Sequence, residues 1–431
     1  MNNSLNNTKT LTLPDMFIAG SLFIFIIWET LSGFILKIDA AARVPHILLY
    51  TSFIAALLFC DGIRLLRKFT LPLSICLLWM LYNIANVCIR FDAVVGFASK
   101  PYFIWLFAAK LVFLMLLLIM LQRHERFMLG ILSCSLLVIT VLFLCFSEKK
   151  IFSSEGHTRL FAHEIINPNS VAFSCVVMLI LAFYWLFSSS PQRFFGVACG
   201  ILAVVTIFLT VSRTAAITAI IVVPLALFSF LRDKKAYFMV KLFTSIAAIL
   251  TLSALLSSSA IVEKSALSYR FNYQTFELEQ FQLEDNLLTR LMGERSIYFY
   301  EGGELFENNP LWGIGYNNYM LYSRYGMRCH VEYITQLAEG GIFGAALYLL
   351  FLLSVILPVR IGHNTPFRQR LFYYCGGLAM LLFGVGAFTS MKDNFYILCA
   401  LTLYSKLPVP ANDPAAENAQ VTPTETPPEA K

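Results

Sequence analysis

Twelve long stretches of nearly uninterrupted apolar residues constrain this chain more than any other feature. They run approximately over 16–37, 44–63, 70–89, 102–122, 127–146, 170–189, 194–211, 214–231, 238–262, 340–359, 371–390 and 393–407, the last being short. A helix of about 20 apolar residues crosses the hydrocarbon core of a bilayer. The runs are continuously apolar rather than alternating, which selects helices over a barrel. Of the 431 residues, 58% are hydrophobic and 13% charged, against about 25% charged in a soluble domain. So few charges cannot coat the roughly three soluble domains that the length alone suggests. The expected fold is an all-α polytopic membrane protein with about 12 transmembrane helices. A disulfide scaffold, a disordered chain and a nucleic-acid binder are excluded, because the net charge of +6 is scattered in short clusters between apolar runs. The first run has only Lys9 and Asp15 upstream and is long enough to span, so it reads as a retained helix rather than a signal peptide.

Lys and Arg in short loops set orientation. With the N-terminus inside, the inner loops hold Arg64, Arg67, Lys68, Arg123, Arg126, Arg193, Arg232, Lys234, Lys235, Arg360, Arg368 and Arg370, twelve against nine in the short outer loops. Both termini are then expected on the cytoplasmic side. The organisation reads as helices 1–9 over 1–262, a large outer loop or cap over 263–339, helices 10–12 over 340–407, and a Pro-, Ala-, Glu- and Thr-rich tail over 408–431 that is expected to be disordered and cytoplasmic. Nine of the ten cysteines fall in or at the ends of spans, with only Cys329 in the large outer segment. No Cys or His pair has metal-ligand spacing, and no glycine-rich phosphate loop or internal repeat is present, so no cofactor is expected.

The polar residues that interrupt this pattern are the candidates for chemistry. In the outer segment, Asn309-Pro310-Leu311-Trp312-Gly313-Ile314-Gly315 reads as a turn whose glycines let the backbone approach something closely. It reads equally as a loop re-entering the membrane with Trp312 at the interface. His330 opens a stretch ending in Glu339-Gly340-Gly341-Ile342-Phe343-Gly344. With 330–339 helical, Tyr333 and Ile334 share the face of His330, while Glu332 and Glu339 lie opposite. An imidazole titrating near 6.5 at a membrane edge is either a proton acceptor or an ordinary surface histidine. Gly340, Gly341 and Gly344 suit tight helix packing. Arg213, in Ser212-Arg213-Thr214 between two spans, is either a plain hairpin charge or a cation facing an anion. Arg159 precedes the Asn167-Pro168-Asn169 turn into the sixth span. The orientation puts Arg159, Arg213, Arg295 and His330 on the same outer side, and arginine forks with a histidine suit a diphosphate and a hydroxyl. Arg270 is a further outer cation. Glu29 and Lys110 lie inside spans, each roughly 12 Å from the outer end, and read as a structural pair or a proton path.

The order of these features resembles the bacterial O-antigen ligase and O-antigen polymerase superfamily. The similar pieces are Ser212-Arg213-Thr214, Glu294-Arg295-Ser296-Ile297-Tyr298, the 309–316 turn, His330-Val331-Glu332-Tyr333-Ile334 with the glycines after it, and Asn167-Pro168-Asn169. The resemblance covers roughly 155–350 and implies a metal-independent, inverting glycosyltransferase of the inner membrane with one large periplasmic loop. The implied donor is a glycan on undecaprenyl diphosphate. The implied acceptor is the lipid A core in a ligase, or another lipid-linked repeat unit in a polymerase. By the same resemblance His330 is the general base, and Arg213 and Arg295 hold the donor diphosphate, with Arg159 and Arg270 as further nominations. The family often carries Asn or Ser after the histidine, where this chain has Val331. Without a metal, fixed guanidiniums must neutralise the leaving diphosphate. The twelve-span plan with one dominant loop favours the ligase branch. A lipid-linked sugar transporter or flippase is the reading of another class. It would call for paired broken helices and midplane charges, whereas here Pro224 stands alone as a kink and the polar residues gather on one face.

Overall fold

The computed structural model describes residues 10–32, 44–90, 100–149, 161–162, 168–187, 190–210, 212–231, 296–324, 326, 329–357, 365–386 and 392–407. These residues are helical apart from connections and a two-residue antiparallel pair, Glu148–Lys149 with Phe161–Ala162. The helices are α1 (Leu13–Leu31), α2 (Val44–Phe59), α3 (Gly62–Leu66), α4 (Thr70–Arg90), α5 (Lys100–Arg123), α6 (Glu125–Phe146), α7 (Pro168–Leu186), α8 (Ser190–Thr210) and α9 (Arg213–Leu231). Further along the chain come α10 (Ser296–Asn308), α11 (Tyr319–Tyr322), α12 (Glu332–Ile356), α13 (Phe367–Leu371), α14 (Gly377–Gly386) and α15 (Asp393–Tyr404). A π-helical turn, Phe372–Gly376, joins α13 to α14.

Among the described residues, six helical stretches are long and apolar enough to cross a membrane: Gly62–Arg90, Tyr102–Arg123, Glu125–Phe146, Asn169–Leu186, Gln192–Thr210 and Glu332–Ile356. Leu13–Trp28, Val44–Phe59 and Thr214–Phe230 are shorter apolar helices. Every predicted run except 238–262, which lies outside the described residues, coincides with a helix. Several runs fall short of a full span, however. α15 has 12 residues, about 18 Å of rise against a core of about 30 Å. It is also the most enclosed element, with Phe395 to Leu401 fully buried against α5, α7, α12 and α14. The apolar pattern of 393–407 therefore reflects burial in protein. Pro168 takes the first helical position of α7, where its missing N–H costs nothing. Pro224 is carried inside α9 without ending it.

Lipid tails are as apolar as leucine, so side-chain polarity and shape, not water exclusion, hold such helices together. Trp185 Nε1 donates to Ser133 Oγ at 2.8 Å, joining α7 to α6, and Asn394 Nδ2 donates to Ser174 Oγ at 2.7 Å, joining α15 to α7. Charges add stronger clips. Asp15 of α1 is fully buried and receives Arg123 Nε at 2.8 Å and Nη2 at 3.1 Å, with His124 Nε2 at 2.9 Å. Arg368 pairs with Glu125, which also accepts the Tyr404 hydroxyl at 2.9 Å. Arg370 is wholly buried and donates twice to the Ser229 carbonyl at the end of α9, at 3.1 and 2.8 Å. Several cations that the sequence assigns to inner loops are thus structural ties.

Lys110 of α5 pairs with Asp393 at the start of α15 and lies 5.3 Å over the Phe25 ring. The expected Glu29–Lys110 pairing falls outside the described residues, because the Glu29 side chain is not among them; the partner described for Lys110 is Asp393. Asp393 was not nominated, because it falls at a span boundary where a charge looks unremarkable. Breaking a buried pair by removing one partner costs about 3–5 kcal/mol. Lys110→Ala is expected to lower the thermal midpoint of the detergent-solubilised protein strongly, and Lys110→Met with Asp393→Leu to recover much of the loss. A single variant as stable as wild type would show that the pair contributes little.

Candidate functional site

The site grows from a break in α12. Its first segment opens at Glu332, eight residues before the predicted span 340–359, and its helical dihedrals fail at Gly341 (φ 61°). A break exposes the carbonyls of the first segment and the amides of the second, and here the Asn309–Gly315 turn fills it. Ile314 N donates to Ala338 O at 2.9 Å and Gly315 N to Glu339 O at 3.1 Å, while Ile342 N donates to Pro310 O at 2.9 Å. The two backbones touch. A Cβ on Gly313 (φ 70°) would sit 2.3 Å from Glu339 O, and one on Gly341 would sit 2.4 Å from Leu311 O. The turn's close partner is therefore the glycine break itself. Gly341 does more than pack helices, whereas Gly344 does lie against the Tyr82 ring of α4.

One face of α4 clamps this junction. Tyr82, Asn86 and Arg90 recur every four residues and so line up. Tyr82 Oη donates to Gly340 O at 2.5 Å. Asn86 Nδ2 donates to Trp312 O at 3.1 Å and Glu339 O at 3.3 Å, while Asn86 Oδ1 accepts Tyr316 N at 3.1 Å. Arg90 Nη1 donates to Gly313 O, and Arg90 O accepts Asn318 Nδ2 at 2.7 Å. Lower on α4, Trp79 Nε1 donates to Gln336 Oε1 at 3.1 Å, and Gln336 Nε2 to Glu332 Oε1 at 2.8 Å. Sequence reasoning passed over this stripe because each residue looks tolerable alone; its signal was the four-residue repeat of polar groups in an apolar run.

His330 stands outside α12, two residues before it, with its ring exposed. Of 330–339, residues 332–339 are helical and His330 and Val331 are not, so Tyr333 does not share a helical face with His330. Tyr333 instead reaches α14, donating its hydroxyl to Leu381 O at 3.0 Å. The His330 ring meets the Tyr298 ring of α10 edge to face, centroids 6.0 Å apart. Tyr298 is buried with Ile314, Tyr319, Cys329, Val331 and Ala338 in a small separate core, and its carbonyl accepts the Tyr319 hydroxyl at 3.3 Å. Burial pushes the Cys329 thiol up to about 12, and raises the Tyr319 phenol as well, so neither ionises near neutral pH. Glu332 and Glu339 are both buried. The Glu339 carboxylate caps the turn, accepting Asn317 N at 2.9 Å and Tyr319 N at 3.0 Å. The exposed imidazole is therefore mounted on a packed platform at the mouth of α12.

None of the nominated arginine side chains is among the described residues. Arg213 opens α9, but only its backbone is described. Arg295 immediately precedes α10, and Arg159, Arg270 and Arg295 all lie outside the described residues.

The fold thus defines a polytopic helical membrane protein with a polar site built where a long apolar helix is broken. Residues 197–349 match the family model described as O-antigen ligase, which supports the O-antigen ligase/polymerase superfamily and a ligase- or polymerase-like, glycosyltransferase-like function. The matched segment contains Arg213, Arg270, Arg295, the glycine turn and His330, but not Arg159. No curated protein gives a significant match to the chain.

Removing the Glu339 carboxylate strands two backbone amides, at about 1–3 kcal/mol each. Glu339→Ala is expected to lower the thermal midpoint markedly, and Gly341→Ala more so, since φ near 61° and the Leu311 carbonyl both oppose a Cβ. Unchanged melting of both variants in detergent would mean that the turn is held by other contacts.

Proposed function

We propose that this protein is an O-antigen ligase-like glycosyltransferase that moves a glycan from undecaprenyl diphosphate to the sugar of the lipid A core. In this reading it is an inner-membrane protein of about twelve spans. Both termini are cytoplasmic, and residues 263–339 form a periplasmic loop carrying the site. The observation that carries the proposal is the exposed His330 ring, fixed by the buried Tyr298 platform at the mouth of α12.

The chemistry follows from those groups. His330 takes the proton from the acceptor hydroxyl as its oxygen attacks the anomeric carbon of the donor. The bond from that carbon to the diphosphate breaks, and its electron pair leaves with undecaprenyl diphosphate. Attack from the face opposite the leaving group inverts the anomeric centre. The departing charge is met by Arg213 and Arg295, assisted by Arg159 and Arg270, whose guanidiniums supply the neutralisation that a metal would otherwise give. The ligase branch is favoured over a polymerase by the span plan with one dominant outer loop.

His330→Ala is expected to abolish transfer in membranes that contain normal amounts of the protein. Arg213→Ala and Arg295→Ala are expected to raise the donor concentration needed by tenfold or more. Wild-type transfer by His330→Ala would remove the base assignment, and full activity of both arginine variants would place the diphosphate elsewhere. A lipopolysaccharide gel from a deletion strain, run beside an assay of undecaprenyl-linked glycans, separates the branches. Bare core with accumulated long lipid-linked polymer identifies the ligase. Core capped by one repeat, with no long polymer, identifies a polymerase.

A further inference from the structure

Beside the His330 platform lies a second feature that this mechanism does not use. An open cleft of about 220 Å³ is lined by Ile89 and Arg90 from the last turn of α4, Asn309 and Ile314 from the glycine turn, and Tyr322 from α11. Its walls are fixed by the bonds already described. Arg90 is tied to Gly313 O and to Asn318, Ile314 N is held by Ala338 O, and α11 hangs from the Glu339 carboxylate through Tyr319 N. The Asn309 backbone is also engaged, its N donating to Phe306 O at 3.0 Å and its O accepting Gly313 N at 3.0 Å. α11 thus has two sides: buried Tyr319 faces the Tyr298–His330 platform, and exposed Tyr322 faces the cleft.

We infer that this cleft is a carbohydrate subsite that seats one sugar ring of a transferase substrate. The proposal rests on the glycosyltransferase reading above. Three properties of the lining carry it. A guanidinium and a carboxamide are planar multi-point hydrogen-bonding groups that match adjacent sugar hydroxyls. An exposed tyrosine ring offers a flat apolar face with a polar tip, which suits the C–H face of a pyranose. Ile89 and Ile314 supply the remaining apolar surface. The volume falls below the range of about 300–1,000 Å³ typical of drug-sized ligands, so it takes one ring of a longer glycan. An acid-bearing or phosphorylated sugar gains further from Arg90. The same chemistry serves a sugar of the acceptor core or a sugar of the donor repeat unit, and the two sources are separable by experiment.

The test uses the full-length protein in nanodiscs and two soluble probes: core oligosaccharide freed of its lipid, and repeat-unit oligosaccharide released from its diphosphate. Binding of each is titrated calorimetrically to wild type, Tyr322→Ala and Asn309→Ala. Neither substitution touches a backbone bond of the turn, and Leu321→Ala on the neighbouring exposed face is the control. Both cleft variants are expected to weaken binding of one probe about tenfold, and to raise KM for the corresponding substrate in the transfer assay by a similar factor. Loss confined to the core oligosaccharide assigns the cleft to the acceptor, and loss confined to the repeat unit assigns it to the donor. Wild-type binding of both probes by both variants, or no binding of either probe by wild type, overturns the subsite. Sugar binding that depends on Tyr322 in a protein showing no transfer would sink the transferase reading and leave the subsite standing.

Discussion

Inside or at the edge of a bilayer, a broken helix must find hydrogen-bond partners in protein, because lipid offers none. The break at Gly341 is the point from which the rest of the site follows. Its carbonyls are met by Ile314 N, Gly315 N, Asn86 Nδ2 and the Tyr82 hydroxyl, and the amide of Ile342 by Pro310 O. That requirement explains two otherwise separate glycine sequences. Gly313 and Gly341 are two sides of one contact in which backbone presses on backbone with no room for a Cβ.

The break also explains why a histidine there is well placed. The first segment of α12 ties the turn at one end, through Ala338 and Glu339, to His330 at the other. Glu332, Thr335 and Gln336 are buried along it, and Gln336 joins it to Trp79 of α4. The packing that satisfies the backbone therefore holds an exposed imidazole in place. A loop histidine without this support would have to be ordered by the substrate itself.

Charge placement divides into two kinds. Arg123, Arg368, Arg370 and Lys110 are tied to Asp15, Glu125, the Ser229 carbonyl and Asp393, and they knit helices together. Removing one partner of a buried pair costs about 3–5 kcal/mol, whereas an exposed pair on a soluble surface is worth about 0–1 kcal/mol. The mechanism proposed above gives Arg213 and Arg295 a different task, meeting the charge of the donor diphosphate.

Apolar run length is a local property, so the helical membrane class and the approximate places of the described apolar helices were legible in the residue order. The glycine turn and His330 were also legible, since Pro, Gly and an isolated imidazole stand out against an apolar background. Tertiary structure alone decided which runs are enclosed by protein, as α15 is, because a lipid-facing helix and a buried one share the same composition. It alone decided that His330 precedes α12 and meets Tyr298, that Lys110 takes Asp393 283 residues away, and that Asn86 bonds Trp312, Tyr316 and Glu339. Those pairings depend on which helices become neighbours. Many helix arrangements are compatible with one apolar pattern, and only packing with every backbone group satisfied selects among them.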